Sequence, residues 1–252
     1  MNYAEKAARF AQLHIKGSPL MLYNAWDAGS AQSILDAGAK AIATSSWAVA
    51  EAQGYRDGEN IPRDLTEKIV ARIVSTIDAP VSIDFEGGYA EDEGGLATNI
   101  SRLFDLGAVG INFEDRVVKG EGLYAIDHQA RRIATIRAAA ERRGIAFFIN
   151  TRTDLFLGHA PDPAQAISEA LDRAKAYADA GASGFFIPGL EAEAHIGRIC
   201  EAAQLPVNVM VMNGVPPVER LIALGVARIS YGPIPYISAM DALREDALKA
   251  LR

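Results

Sequence analysis

Short apolar runs recur along the chain, and most of them follow the same local pattern. A helical stretch ends at a glycine, two or three turn residues follow, and an apolar run then begins. The runs are apolar throughout and do not alternate with polar residues, which is typical of parallel strands covered on both faces. The predicted strands are residues 20–24, 41–44, 81–85, 109–113, 146–150, 184–187, 207–211 and 227–230.

Helical patterns separate these runs, and residues 3–15 add an amphipathic helix in front of them. Eight strand–helix units in about 250 residues are typical of a (β/α)₈ barrel. The alternative, an open doubly wound sheet, usually has fewer strands and often carries a G-x-G-x-x-G fingerprint, which this sequence lacks. We therefore predict the α/β class, with one (β/α)₈ TIM barrel domain over residues 1–252 and an extra N-terminal helix.

Composition and charge exclude several functions. The net charge is −7 and no basic run is present, so nucleic acid is not an expected partner. No stretch approaches the ~20 apolar residues that a membrane span needs, and the N-terminus lacks the apolar region of a signal peptide. The single cysteine, Cys200, excludes an internal disulfide and fits a reducing compartment. We expect a cytoplasmic protein with no membrane or nucleic-acid partner.

Histidine and cysteine do not form a recognisable metal or nucleophile motif. The four histidines, His14, His128, His159 and His195, are scattered, and we interpret them as surface residues. His159, beyond the fifth predicted strand, is the one closest to the expected site. Cys200 lies in a helical stretch among apolar residues, so we expect it to pack in the core.

The active site of a barrel lies at the carboxyl ends of the strands, so the residues that end each strand deserve most weight. Asp84 and Glu86 end the third predicted strand. On a strand they would share one side, with Cβ atoms about 6.6 Å apart. Two such carboxylates can serve one divalent ion, one directly and one through water. Taken alone, the pair is equally compatible with a solvated strand end.

Glu114 ends the fourth strand and Arg152 the fifth. Several acids on one rim indicate a cation, because buried carboxylates are expensive to desolvate. Arg152 indicates an anionic substrate, since its planar fork binds a carboxylate or phosphonate at two points. A metal with an arginine suits a 2-oxo acid that chelates through its carboxylate and neighbouring oxygen. The alternative is that Arg152 only neutralises neighbouring acids, namely Glu114, Asp115 or Asp154.

Six short motifs follow one another along the chain. They are Asn24-Ala-Trp-Asp27, Thr44-Ser-Ser-Trp47, Gly54-Tyr-Arg-Asp-Gly58, Asp84-Phe-Glu-Gly-Gly-Tyr89, Gly110-Ile-Asn-Phe-Glu-Asp-Arg116 and Ile149-Asn-Thr-Arg-Thr-Asp154. In this order they resemble the isocitrate lyase/phosphoenolpyruvate mutase superfamily over nearly the full length. The resemblance implies Mg²⁺, or Mn²⁺ in its place, with Asp84 as direct ligand and Glu86 and Glu114 holding the waters of the ion.

The resemblance also implies where the substrate binds. The backbone amides of Ser46 and Trp47, which follow Ser45, are similar to the family's binding site for the substrate carboxylate. Arg152 is similar to its second anion clamp, and in this family the metal stabilises a pyruvate enolate. We therefore expect Ser45, Ser46, Trp47 and Arg152 to contact the substrate.

Four further residues complete the candidate site. Asp57 is similar to an acid on the family's mobile loop after the second strand, and Lys119 to a lysine of the mutases. Lys119 is otherwise a solvated side chain on a glycine-flanked loop. Tyr89 either hydrogen-bonds the substrate or packs. Asn208, on the seventh strand, is a candidate substrate contact. Arg152, Asp57 and Lys119 are the candidate catalytic residues.

The loop after Glu114 departs from the family's named members. Isocitrate and methylisocitrate lyases carry Lys-Lys-Cys-Gly-His there, and the mutases and phosphonopyruvate hydrolases carry Lys-x-Asn-Ser. Residues 117–125 read Val-Val-Lys-Gly-Glu-Gly-Leu-Tyr-Ala, without Cys, His, Asn or Ser. Pro188 also replaces a histidine of the mutases, and the metal pair is Asp-x-Glu instead of Asp-x-Asp. These changes leave enolate chemistry intact but do not identify the substrate.

We expect a Mg²⁺-dependent lyase that breaks or forms a C–C bond of a small 2-oxo or dicarboxylic acid through a pyruvate enolate. It would be similar to oxaloacetate decarboxylase or a 2-substituted malate lyase. One alternative is P–C chemistry like that of phosphoenolpyruvate mutase or phosphonopyruvate hydrolase. A barrel that binds a dicarboxylate or metal without turnover is another. The resemblance also implies a homo-oligomer, a dimer or tetramer, in which residues 237–251 would be the exchanged last helix.

Overall fold

Eight parallel strands form a barrel in the computed structural model, which describes residues 1–158 and 163–252. From the second strand to the eighth, each strand pairs with the next in the chain, and the eighth pairs with the first. A bridge between Ala25 and Thr44 joins the first two strands. The (β/α)₈ prediction is confirmed. The strands are β1 Leu20–Leu22, β2 Ile42–Ala43, β3 Val81–Asp84, β4 Gly110–Glu114, β5 Phe148–Arg152, β6 Gly184–Phe186, β7 Val207–Met210 and β8 Arg228–Ser230.

Helices surround the strands, and their ends follow local sequence signals. The side chain of Asn2 caps the first helix, and the side chain of Glu5 accepts from the Asn2 amide in return. Gly107 ends the fifth helix with φ 87°, a left-handed conformation that favours glycine. The helices are α1 Tyr3–Gln12, α2 Ala28–Asp36, α3 Ser46–Ala52, α4 Arg63–Thr76, α5 Glu93–Leu106, α6 Ile126–Arg142, α7 Pro163–Asp179, α8 Glu193–Ala202, α9 Val218–Ala223 and α10 Ile234–Ala250.

The N-terminal helix α1 packs against the amino ends of the strands. Phe10 on α1 meets Phe148 edge to face, with ring centroids 5.4 Å apart. Gly110 lies beside both residues, and a Cβ there would lie 2.7 Å from the carbonyl oxygen of Phe148 and 3.3 Å from the ring of Phe10, so the packing leaves no room for a side chain at this position. Ala7, Leu20 and further apolar residues complete this cluster. The amino end of the barrel is therefore closed by apolar packing.

His14 belongs to this closed end, so its interpretation as a surface residue was wrong. It is 9% exposed, stacks on Phe148, and donates from Nδ1 to the carbonyl oxygen of Phe10 at 2.8 Å. Burial, reinforced by the charge of Arg228, lowers the pKa of His14 to about 3, so the ring is neutral. His128 and His195 are half-buried, and His159 lies outside the described residues.

A layer of polar side chains crosses the barrel interior above the apolar cluster. Asn150 donates from Nδ2 to the Oδ1 atoms of Asn112 (2.9 Å) and Asn208 (3.0 Å). Arg228 on β8 donates to Asn112 Oδ1 on β4 at 2.9 Å. Because β4 and β8 lie on opposite sides of the barrel, this bond runs through its interior.

The structure also bears on Cys200 and on membrane-spanning helices. Cys200 packs in the main hydrophobic core, as predicted, and burial raises the pKa of its thiol to about 11. Within residues 1–158 and 163–252, none of the helices combines the length and apolar character needed to span a bilayer.

Candidate active site

A cavity of about 170 Å³ opens at the carboxyl ends of the strands. It brings together six of the predicted site residues: Ser45, Ser46, Trp47, Asp57, Asp84 and Arg152. The remaining lining residues are Asn24, Asn112, Phe186, Met210, Ser230, Gly232 and Pro233. The strand ends thus converge on one small polar space, as the barrel fold requires.

Asp84, the last residue of β3, has one oxygen in use and one without a partner. Its Oδ2 accepts from the amide of Ser46 at 3.0 Å. Its Oδ1 is buried and has no hydrogen-bond partner within the described parts of the chain. A buried carboxylate oxygen without a partner is costly. Oδ1 is therefore the atom at which a bound cation would be most favourable.

Glu86 does not share the strand geometry expected for it. β3 ends at Asp84, and Glu86 has a left-handed φ of 50°, so the alternation of side chains along a strand does not extend to it. Its Oε2 accepts from the Glu59 amide at 2.7 Å. With Asp84 it lines a narrow second cavity, not the 170 Å³ cavity. Burial and the charges of Asp57 and Asp84 raise the pKa of Glu86 to about 8.

Arg152 is held by two acids. Its Nη1 lies 3.1 Å from Glu114 Oε2, and its Nε and Nη2 donate to the two oxygens of Asp154 at 2.6 and 2.9 Å. The neutralising contacts considered from the sequence therefore exist for Glu114 and Asp154, whereas Asp115 pairs with Arg173 at 3.1 Å. Arg152 nevertheless lines the cavity, so both roles remain compatible with its position.

The electrostatics of this pair follow from burial. Burial raises the pKa of Glu114 well above its ordinary value, and the charge of Arg152 opposes that change. Burial alone would lower the pKa of Arg152, but the charges of Glu114 and Asp154 raise it well above its ordinary value. Arg152 is therefore a permanent cation in the wall of the cavity.

Asp57 and Lys119 lie on two loops that touch. Asp57 follows α3 and lines the cavity, and burial together with the charge of Asp84 raises its pKa. Lys119 Nζ donates to the carbonyl oxygens of Gly58 (3.0 Å) and Glu59 (2.9 Å). Lys119 lines a separate cavity of about 280 Å³. In this structure Lys119 therefore holds the backbone of the Asp57 loop and does not face the site.

Two predicted substrate contacts are placed elsewhere. Tyr89 has a left-handed φ of 55°, and its hydroxyl lies 3.5 Å from Glu86 and 3.4 Å from Thr66. Asn208 sits within the polar layer, where its Nδ2 donates to the carbonyl oxygens of Val209 and Arg228. Neither residue lines the 170 Å³ cavity.

Three polar lining residues were missed from the sequence: Asn24, Asn112 and Ser230. Asn24 joins three loops, because its Nδ2 donates to Thr44 O at 2.8 Å and its Oδ1 accepts from the amides of Tyr231 and Gly232. All three lie at or near the carboxyl end of a strand, and that position is the feature of the sequence from which they could have been predicted as site residues.

The donor set fits a metal that keeps most of its water. Within the described residues, no three His, Cys, Asp or Glu side chains are close enough to hold an ion together. Asp84 Oδ1 is therefore the one oxygen placed to bind such an ion directly, and Glu86 and Glu114 would contribute through water. Mg²⁺ is commonly bound by one or two carboxylates while keeping several waters. The residues present are compatible with that ion.

Comparison with known proteins places the chain in a family. Residues 10–251 match the phosphoenolpyruvate phosphomutase family. An uncharacterised protein of Mycobacterium tuberculosis is 32% identical over 92% of this chain and 85% of its own length. A structure from Burkholderia cenocepacia J2315, provisionally assigned as a phosphonomutase, is 44% identical with a TM-score of 0.95, covering 99% of this chain and 100% of that one.

A more distant structure contains ligands. A phosphonopyruvate hydrolase in complex with oxalate and Mg²⁺ has a TM-score of 0.84 at 21% identity, covering 97% of this chain and 85% of its own. At that identity the likeness concerns the fold alone. From the match over residues 10–251, this chain belongs to the phosphoenolpyruvate phosphomutase family of the isocitrate lyase/phosphoenolpyruvate mutase superfamily, whose members are lyases and mutases.

Proposed function

We propose that this protein is a Mg²⁺-dependent lyase that breaks or forms a C–C bond of a small 2-oxo or dicarboxylic acid through a pyruvate enolate. One observation carries the proposal: Asp84 Oδ1, a buried carboxylate oxygen without a partner in the described parts of the chain, and the cation Arg152 line the same 170 Å³ cavity. A metal beside one fixed cation suits a small chelating anion.

Three carboxylates would bind the ion, one directly and two through water. Asp84 would bind Mg²⁺, or Mn²⁺ in its place, directly, and Glu86 and Glu114 would bind its waters. When bound, the ion supplies Lewis-acid stabilisation of the negative charge that develops on a substrate oxygen. Glu59 restrains Glu86 through its amide, and Arg152 restrains Glu114. Both acids are thus held in place before any ion arrives.

The substrate carboxylate would lie between Arg152 and the start of α3. The amide of Ser46 already donates to Asp84, which changes the expected contact. The amide of Trp47 is in the first turn of α3, where amides have no intrahelical partner. We therefore propose that the substrate carboxylate accepts hydrogen bonds from the Trp47 amide and from Arg152, and that it lies beside Ser45.

The charge of the cavity favours C–C over P–C chemistry. Of the described residues that line it, Arg152 is the one cationic side chain, and it is shared with Glu114 and Asp154. A phosphonate carries more negative charge than a carboxylate, so a cavity with a single, already shared arginine balances a carboxylate better. The described lining also contains no cysteine or histidine, so we propose that water beside Asp57 returns the proton to the enolate.

Phosphonate chemistry is the second candidate. The provisional assignment of the Burkholderia structure, which is 44% identical over nearly the whole chain, is the observation that favours it. The candidates can be separated by incubating the protein and Mg²⁺ with oxaloacetate, with a methylisocitrate-type acid and with phosphonopyruvate. Pyruvate release would be measured for all three, and phosphoenolpyruvate formation for phosphonopyruvate as well. Oxaloacetate or the methylisocitrate-type acid should be the better substrate, and turnover of phosphonopyruvate alone would favour the second candidate. If oxalate binds but formation of neither product is accelerated, the protein is a binding barrel.

We also propose a homo-oligomer in the cytoplasm. The last part of α10 exposes apolar side chains, including Leu243 (62%) and Leu248 (51%). Beside α10 lies a largely apolar cavity of about 940 Å³ that is lined by Tyr23, Ile34 and Pro235 among others. Apolar surface of this kind is typical of an interface. Light scattering of the wild type should give a dimer or tetramer, and Leu243→Glu should reduce the mass; a monomeric wild type would contradict the proposal.

A further inference from the structure

Arg228 is a buried cation that lacks a contacting acid among the described residues, although the charge of Asp84 acts on it. It begins β8, is 0% exposed, and makes no ion pair with any carboxylate in the described parts of the chain. Its Nη2 donates to Asn112 at 2.9 Å, its Nε lies 3.4 Å from Ser230 Oγ, and its Nη1 has no partner there. Burial lowers the pKa of Arg228 to about 9, and the charge of Asp84 opposes that change.

The fold does not need this arginine to satisfy its neighbours. Asn112 Oδ1 also accepts from Asn150 at 2.9 Å, and Ser230 Oγ also accepts from Asn208 at 3.2 Å. Removing the guanidinium would therefore leave neither acceptor without a donor. An uncompensated buried charge is destabilising, and replacing such a group by an apolar one is often neutral or stabilising. Structural need alone does not explain Arg228.

The two contacts of Arg228 lead to the cavity. Asn112 and Ser230 both line the 170 Å³ cavity, on opposite sides of the barrel, whereas Arg228 does not line it. The positive charge of Arg152 is already shared with Glu114 and Asp154. Arg228 is thus the nearby cation whose charge is not balanced by a contacting acid within the described residues. A bound anion would balance it.

We propose that Arg228 is a positioning residue: it orients Asn112 and Ser230 toward the substrate anion and supplies positive charge beneath the cavity. This inference rests on the proposed function, because it requires a small anion in that cavity. Arg228 acts through its two partners and does not touch the reacting atoms. Its cost to the fold is offset only when the anion is bound.

Calorimetric titration of oxalate in the presence of Mg²⁺ tests the inference on the intact protein. Arg228→Met should weaken oxalate binding about tenfold, the order of loss expected when a buried unit charge near the anion, but not in contact with it, is removed. Glyoxylate, a monoanion of similar size, should lose less affinity than oxalate. Arg228→Lys, which keeps the charge, should retain most of the affinity. Without ligand, the melting temperature of Arg228→Met should equal or exceed that of the wild type.

Arg137→Met is the matched control. Arg137 donates to Gly181 O and Ser183 Oγ on the turn before β6, at the amino end of the barrel. Its loss should lower the melting temperature and leave oxalate affinity unchanged. Equal oxalate binding by the wild type and Arg228→Met would overturn the inference alone. An unfolded or less stable Arg228→Met would also overturn it. Failure of the wild type to bind oxalate would overturn the proposed function, and the inference with it.

Discussion

The amino and carboxyl ends of the barrel strands differ in what surrounds them. At the amino end, Phe10, Phe148 and a neutral His14 pack together, and Gly110 allows their close approach. At the carboxyl end, Asp84 has an oxygen without a partner within the described chain. The amino end is filled by aromatic and apolar side chains, with His14 Nε2 as a buried nitrogen that has no partner in the described chain, whereas at the carboxyl end the unpartnered atom is a carboxylate oxygen beside a cavity.

This difference separates stability from chemistry along each strand. β4 shows it within five residues: Gly110 at its start admits α1, and Glu114 at its end holds Arg152. Residues that close the amino end should therefore affect folding and not ligand binding. Residues at the carboxyl end should affect ligand binding. Some of them should lower the free energy of unfolding of the ligand-free protein, so that replacing them stabilises it.

The largest effect is expected for Asp84→Ala, which should abolish Mg²⁺-dependent activity because it removes the direct ligand. The folded protein should remain, since the carboxylate is partly unsatisfied without the ion. Pyruvate release and circular dichroism would measure the two effects. Full activity in this variant would remove the metal assignment. Asp64→Ala, an exposed acid on α4, is the control and should be active.

Phe10→Ala tests the closed end. Phe10 is 0% exposed, and truncating a buried phenylalanine typically costs about 3–5 kcal/mol of unfolding free energy. Denaturant titration should show this loss, while oxalate affinity of the folded protein stays unchanged. Gln12→Ala, on the exposed side of α1, should change the unfolding free energy by less than about 0.5 kcal/mol. A large loss of oxalate affinity in Phe10→Ala would contradict the view that the amino end affects folding and not ligand binding.

Arg152→Ala should slow turnover about 10²–10³-fold if Arg152 stabilises charge in the transition state. Initial rates at saturating substrate would measure it. The exposed Arg131→Ala, which only loses a surface pair with Asp127, should keep its rate. If Arg152→Ala lowers the melting temperature and leaves the rate unchanged, Arg152 serves only to neutralise Glu114 and Asp154.

The smallest expected effect is a pH dependence of opposite sign at the two ends, measured without metal. The pKa of His14 is about 3 in the folded protein against about 6.5 unfolded, so its contribution to stability falls as the pH drops below about 6.5. The pKa of Glu86 is about 8 against about 4.5, so its contribution falls as the pH rises from about 4.5 to 8.

Two variants isolate these contributions. The difference in unfolding free energy between the wild type and His14→Phe should change with pH on the acid side. The difference between the wild type and Glu86→Gln should change on the neutral side, with the opposite slope. Chemical denaturation at several pH values in EDTA would measure both. Parallel curves for either variant would show that the residue has no shifted pKa.

The barrel and much of its site could be predicted because local signals and tertiary structure agree. Glycine caps and apolar runs located the eight strands, the strand ends pointed to Asp84 and Arg152, and the family resemblance pointed to Ser46. Glu86 was misplaced because a sequence pattern does not show that β3 ends at Asp84. Lys119 and His14 depend on contacts with distant segments, the Asp57 loop and Phe148, which local patterns do not report.

Oxalate binding with and without Mg²⁺ tests the central claim most directly, because oxalate resembles pyruvate enolate in shape and charge. Calorimetry on the wild type should show binding in Mg²⁺ and none in EDTA, and Asp84→Ala should show none in either. Equal oxalate affinity with and without Mg²⁺, or unchanged binding by Asp84→Ala, would contradict a metal-and-anion site at the mouth of the barrel.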